Sequence, residues 1–164
     1  MPDFSLGFEH VIPQDGFALY GGSAKLYNKV KLDNNGLVGG GKIDYLSSSS
    51  YSENYVFYLD SMVSEGTNFK IDEGDFYGIS YPDIYTDNFD MKWIPAEDHM
   101  YVRNRLDSFR LYNNTATLDG FIDYTSTGVK GGGTMAARGF ESQSNEFSFA
   151  ETSLTAKHSS FELA

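Results

Sequence analysis

Side chains that could do chemistry are thinly spread along this chain. His10, His99 and His158 lie far apart and match neither HExxH nor His-x-His spacing, so they read as surface or half-buried histidines, not metal ligands. Two acidic turns, Asp72-Glu73-Gly74-Asp75 and Asp87-Asn88-Phe89-Asp90, are the best calcium candidates, because a hard cation wants several oxygens. Neither follows the EF-hand loop pattern. Paired carboxylates for glycoside hydrolysis are defined by distance in space, and nothing in the sequence points to a pair. Cysteine is absent, which excludes disulfides, thiol catalysis and Cys-built zinc sites. The expectation is no catalytic residue and no resident cofactor, with calcium the one metal the pattern admits.

Aromatic residues are the other candidates. Tyr77, Tyr81, Tyr85 and Trp93 fall in one stretch beside acids and amides. Exposed rings in such company can form a sugar-binding platform, so these four are the candidate ligand-binding residues. Phe17, Tyr20, Phe57 and Phe69 recur as Phe109, Tyr112, Phe149 and Phe161 and read as core.

Gly39-Gly40-Gly41-Lys42 invites a phosphate-loop reading. It lacks the first glycine spacing of a P-loop, and an alternating strand pattern follows it where a helix would be needed. Its echo, Gly131-Gly132-Gly133-Thr134, keeps the glycines and loses the lysine. Glycines in such a place predict a bulge, a strand bend or a close approach of backbones.

That echo belongs to a longer duplication. Residues 17–71 align on 109–163 without a gap at an offset of 92, with 14 identities over 55 positions. The shared residues are apolar residues of strand parity, serines and turn glycines. Charged positions vary freely: Lys42 becomes Thr134, Asp44 becomes Ala136 and Asp60 becomes Thr152. A duplicated fold keeps what packs and turns, whereas a duplicated active site would keep its chemistry.

The elements that must position these residues read as strands. Ala24, Leu26, Val30 and Leu32 share one parity, with Lys25, Lys29, Lys31 and Asp33 on the other, as in a strand with one buried face. Asn34-Asn35-Gly36 is a turn signal. Ser47 to Ser50 reads as a loop, Tyr55 to Leu59 as a strand, and Phe69 to Ile71 as a short final strand. The division is a lead-in at 1–16, a first copy at 17–71, a connector at 72–108 and a second copy at 109–164. A gap-free repeat fits a closely registered sheet, because one inserted residue would turn every following side chain to the other face. The fold class is all-β, with two homologous units in a β-solenoid or open β-groove; a two-sheet β-sandwich is the alternative.

The chain has 164 residues and a net charge of −11, with Lys+Arg 12 against Asp+Glu 23. An acidic surface repels phosphate backbones, which argues against nucleic acid as a partner. No apolar run reaches the length of a spanning helix, and the first residues lack the basic and apolar regions of a signal peptide.

Gly36 to Leu46, with Tyr55-Val56-Phe57-Tyr58-Leu59-Asp60-Ser61-Met62 and Thr117-Leu118-Asp119-Gly120, resembles repeat units of very large surface or envelope proteins of Bacteroidota. Tyr81-Pro82 and Trp93-Ile94-Pro95 fit the same group. The resemblance implies a long β-solenoid or groove of which this chain is one segment, located at the cell surface or envelope. It is also similar to the envelope-spanning AsmA/TamB type, which carries lipid in an apolar groove. The functional expectation is a non-catalytic structural or assembly module whose partners are neighbouring copies of the same repeat. The alternative is a glycan- or calcium-binding module using the connector.

Overall fold

A computed structural model describes residues 8–11, 16–34, 36–76, 79–157 and 160–163. The chain is all-β, and no α-helix occurs among the described residues. The first strands are β1 (Phe8–Val11), β2 (Phe17–Leu19), β3 (Ala24–Asp33), β4 (Gly36–Tyr45), β5 (Ser48–Phe57) and β6 (Met62–Ile71). The middle of the chain forms β7 (Gly74–Phe76), β8 (Ile79–Tyr81), β9 (Ile84–Ile94) and β10 (His99–Asn104). The last strands are β11 (Phe109–Leu111), β12 (Ala116–Thr125), β13 (Gly128–Ala137), β14 (Phe140–Phe149), β15 (Leu154–Lys157) and β16 (Ser160–Leu163).

One antiparallel sheet takes almost all of them, in the order β1-β3-β4-β5-β6-β9-β10-β12-β13-β14-β15. β2 follows β1 along β3, β11 follows β10 between β9 and β12, and β16 follows β15 along β14. β7 and β8 pair as a separate hairpin.

Period-two alternation puts one face of each strand into a single core. Leu26, Ile43, Phe69, Ile84, Val102, Leu118 and Ile122 are buried there, while Lys25, Lys42, Lys70 and Asp119 face outward. The sheet is strongly curled. Tyr45 on β4 and Tyr124 on β12 are five strand spacings apart, about 24 Å in a flat sheet. Their ring centroids are 6.2 Å apart, so the two flanks of the core face meet across its concavity.

The strands repeat at the offset seen in the sequence. β3, β4 and β5 begin at 24, 36 and 48; β12, β13 and β14 begin at 116, 128 and 140. The repetition also reaches further back than residue 17. Phe8 pairs with Leu32 and Val11 with Lys29; 92 positions later Met100 pairs with Tyr124 and Arg103 with Phe121. β1 is therefore the counterpart of β10, although Phe8-Glu9-His10-Val11 and Met100-Tyr101-Val102-Arg103 share no residue.

The triple glycines face a bulge in the neighbouring strand. Gly39 pairs with Tyr55 and Gly41 with Ser52, so β5 carries one extra residue between them. Gly131 with Phe147 and Gly133 with Ser144 repeat the shift. A side chain on Gly39 would meet Phe57 at 2.7 Å and Leu26 at 2.8 Å; on Gly131 it would meet Phe149 at 2.8 Å and Leu118 at 2.9 Å. Gly41 and Gly133 hold φ of +120° and +128°. The Ser52 hydroxyl accepts the Asn54 N–H at 3.1 Å, and Ser144 accepts that of Glu146 at 3.1 Å, serving backbone that the bulge takes off the ladder. The bulge also changes which parity points inward, from Ser48, Ser50 and Ser52 to Tyr55 and Phe57.

Two sequence expectations are corrected. Ser48 to Ser50 lie in β5 instead of a loop, because Ser48 and Ser50 point inward and are satisfied there: Ser48 donates to the Tyr45 carbonyl at 2.6 Å, and Ser50 bonds the Tyr55 hydroxyl at 3.0 Å. Phe69 to Ile71 is the end of a ten-residue strand that starts at Met62. The stretch at 72–108 supplies β9 and β10, the middle of the sheet.

Candidate functional site

Of the four candidate aromatic residues, Tyr81, Tyr85 and Trp93 do not share an exposed surface. Tyr77 lies outside the described residues. Tyr81 and Trp93 are both 0% exposed. Tyr81 comes from β8 and hydrogen-bonds the Tyr124 hydroxyl at 3.3 Å inside the concavity. Trp93 points inward from β9, 5.1 Å from the rings of both Tyr20 and Tyr45. A bulge explains its direction. β9 turns Ile84 and Thr86 inward, Asn88 takes a φ of 53°, and from there Phe89, Met91 and Trp93 point inward. Tyr85 reaches the outer face. The Arg110 guanidinium lies 4.1 Å from its ring centroid, and its hydroxyl donates to Asn114 Oδ1.

Of the calcium candidates, Asp72, Glu73, Asp87 and Asn88 are engaged with other groups, while Asp90 Oδ1 is buried without a hydrogen-bond partner. Asp72 is ion-paired to Lys70, and Asp87 accepts from Arg110 at 3.2 Å. Asn88 donates to Asp107 at 3.0 Å, and Phe89 is in the core. Glu73 donates its backbone N–H to Asp83 and faces Glu151, whose carboxylate hydrogen bond and charge raise the Glu73 pKa. No group of three or more acids and histidines able to hold a metal occurs among the described residues. His99 bonds Asp123 at 3.0 Å on the outer face, half-exposed. The side chain of His10 and all of His158 lie outside what the structure describes.

Two features stand out as surfaces. The first is an outward groove of about 440 Å³ crossing β4, β5, β6 and β9, lined by Lys42, Tyr51, Asn68, Lys70, Tyr85 and Asp87. Sequence reasoning reached Tyr85 and missed Tyr51, whose partners come from neighbouring strands.

The second is the joint between the two units. β9 lies between β6 on one side and β10 with β11 on the other: Met62 pairs with Trp93, Ile71 with Ile84, Arg103 with Asp90, and Leu111 also with Ile84. The outer strands of the sheet are the counterparts of those flanking strands. β1 with β2 corresponds to β10 with β11, and β15 with β16 corresponds to β6. Among the described residues, neither outer strand has a partner on its far side.

No family model matches this chain, and neither the curated proteins nor the solved structures contain a match. Among the described residues no helix is long and apolar enough to cross a membrane.

Proposed function

We propose that this chain is a non-catalytic structural module of a cell-surface or envelope assembly. Its two units form an open β-groove whose role is to extend a sheet. One observation carries the reading: the interactions seen to be duplicated between the units, among the described residues, are packing or turning devices. The glycine-faced bulge, the serine that serves it and the Tyr20/Tyr112 hydroxyl bonds recur, whereas the charged outer positions do not. Purely antiparallel pairing of chain neighbours favours a groove over a solenoid, in which successive coils stack strand on strand in parallel. Thermal melting in the presence of calcium and of a glycan panel tests the role. A module with no such ligand melts at an unchanged temperature, and a rise sinks the proposal, since a ligand bound only by the folded state raises it. Protease shaving of intact cells tests the location.

A second reading, a glycan-binding module, is favoured by the outward groove. Tyr51 and Tyr85 sit there with Asn68, Asp87, Lys42 and Lys70, the mixture of rings, amides and charges that sugars use. Tyr85→Ala and Tyr51→Ala, each losing retention on an immobilised glycan, would support it. No retention by the parent chain across the panel would sink it.

A further inference from the structure

We infer that the β15–β16 edge is an acceptor for an extended strand of the β9 kind, contributed by a neighbouring repeat unit. The inference rests on the structural reading above and identifies the joining element.

The argument is one of equivalence. β14 holds β15 and β16 in the register in which β5 holds β6: Phe57 pairs with Met62 and Ser48 with Ile71, while Phe149 pairs with Leu154 and Phe140 with Leu163. In the first unit the far side of β6 is covered by β9, an eleven-residue strand with Ile84, Thr86, Phe89, Met91 and Trp93 inward. In the second unit that place is open among the described residues. Burial follows the difference. Met62 is 0% and Ser64 4% exposed beneath β9; their counterparts are Leu154, half-buried, and Ala156, exposed. Tyr112 stands where Tyr20, in the first unit, meets Trp93 of β9.

Strand direction adds a constraint. β6 and β10 are each antiparallel to β9 and so parallel to one another, one strand apart. The outer strands β15–β16 and β1–β2 repeat those two directions. Two units placed end to end in the geometry of the internal joint therefore leave a slot one strand wide. An intervening strand fills its ladder, because open edges present unpaired N–H and C=O groups, and the internal joint fills it with an antiparallel one, β9. The occupant must be extended over about ten residues and carry bulky apolar side chains at the inward positions.

The test uses the whole chain and a synthetic peptide of residues 84–94, Ile-Tyr-Thr-Asp-Asn-Phe-Asp-Met-Lys-Trp-Ile. Hydrogen exchange is followed by mass spectrometry with and without the peptide. Exchange across 154–163 is expected to slow at least tenfold at saturating peptide. A peptide with Phe89 and Trp93 replaced by Asp is expected to have no effect. Ala156→Asp in the acceptor places a charge where Met91 would pack and should abolish the slowing; the site is exposed in the free chain, so the fold survives. Unchanged exchange over 154–163 overturns the inference. So does slowing that persists in Ala156→Asp, or protection confined to 62–71 and 99–104, which would mean exchange with the chain's own β9. The ligand-independent melting temperature reads the structural role separately and stands whatever the peptide does.

Discussion

Tyr112 repeats Tyr20 across 92 positions with the same pair of carbonyl partners. The Tyr20 hydroxyl lies 2.9 Å from the Tyr58 carbonyl oxygen and 2.5 Å from that of Ser61; Tyr112 lies 2.9 Å from Ala150 and 2.7 Å from Ser153. Each tyrosine thereby ties the turn before β3 or β12 to the turn after β5 or β14. Both hold a left-handed backbone, with φ of 49° and 52°, which a bulky residue adopts only when its surroundings require it. Tyr20→Phe and Tyr112→Phe are each expected to lower stability by about 1 kcal/mol, through loss of the hydroxyl bond alone. Urea unfolding of the two variants measures this, and a neutral result for both would show that the ring and not the hydroxyl anchors the turn.

The bulge makes a sharper demand. Gly39→Ala and Gly131→Ala each push a methyl into a Phe and a Leu at under 3 Å, and are expected to cost about 2 kcal/mol. Gly41→Ala adds backbone strain at φ +120° and a clash with the Tyr27 carbonyl, and is expected to cost more than Gly39→Ala. Equal midpoints for Gly41→Ala and the parent would refute the bulge geometry.

Two buried tyrosine hydroxyls are predicted to behave oppositely. Tyr45 Oη is buried with no hydrogen-bond partner, whereas Tyr55 Oη bonds Ser50 at 3.0 Å. Tyr45→Phe should be neutral or stabilising by about 1 kcal/mol, because it removes an unmet polar group. Tyr55→Phe should destabilise by about 1 kcal/mol, because it strands Ser50. Thermal melts of the pair decide it.

Alkaline pH should weaken the fold. Burial pushes the Tyr112 hydroxyl up to about 12 and raises those of Tyr124, Tyr55 and Tyr20 as well. Each holds its proton more tightly folded than unfolded. The resulting stability is complete below the ordinary tyrosine value of 10.0 and is lost as pH rises through the folded values. Tyrosinate absorbance and circular dichroism recorded together should show the last rings ionising as the strands melt. Full ionisation with the strand signal intact would contradict the burial.

Trp93 is the centre of the joint. Trp93→Ala removes a fully buried ring packed between Tyr20 and Tyr45 and is expected to cost about 3–5 kcal/mol. A mild loss, read by urea unfolding, would mean that the joint between β6 and β10 does not depend on it.

Strand character was legible wherever parity was clean, as in Ala24 to Asp33. The glycine triplet was legible because its echo kept the glycines and dropped the lysine. The 48–50 serines were not, since a hydroxyl inside a sheet is tolerable only when a partner such as Tyr55 reaches it, and that partner arrives through the bulge. Tyr81 and Trp93 misled for a related reason: aromatic type does not say which face of a strand a residue occupies. In β9 the bulge at Asn88 sets that face for Trp93.

By itself the sequence determined the β-rich character and the spacing of the strands, because alternation and turn glycines act within a few residues. It also determined which positions the two units share. The tertiary structure alone decided that β1 and β10 are counterparts, since strand pairing is made by backbone groups that carry no residue identity. It alone decided that the stretch between the units is the middle of the sheet, that its tryptophan is buried, and that the outer strands repeat the two sides of that joint. Those are properties of which strand lies beside which, set by curling a sheet around its apolar face, and no local pattern encodes them.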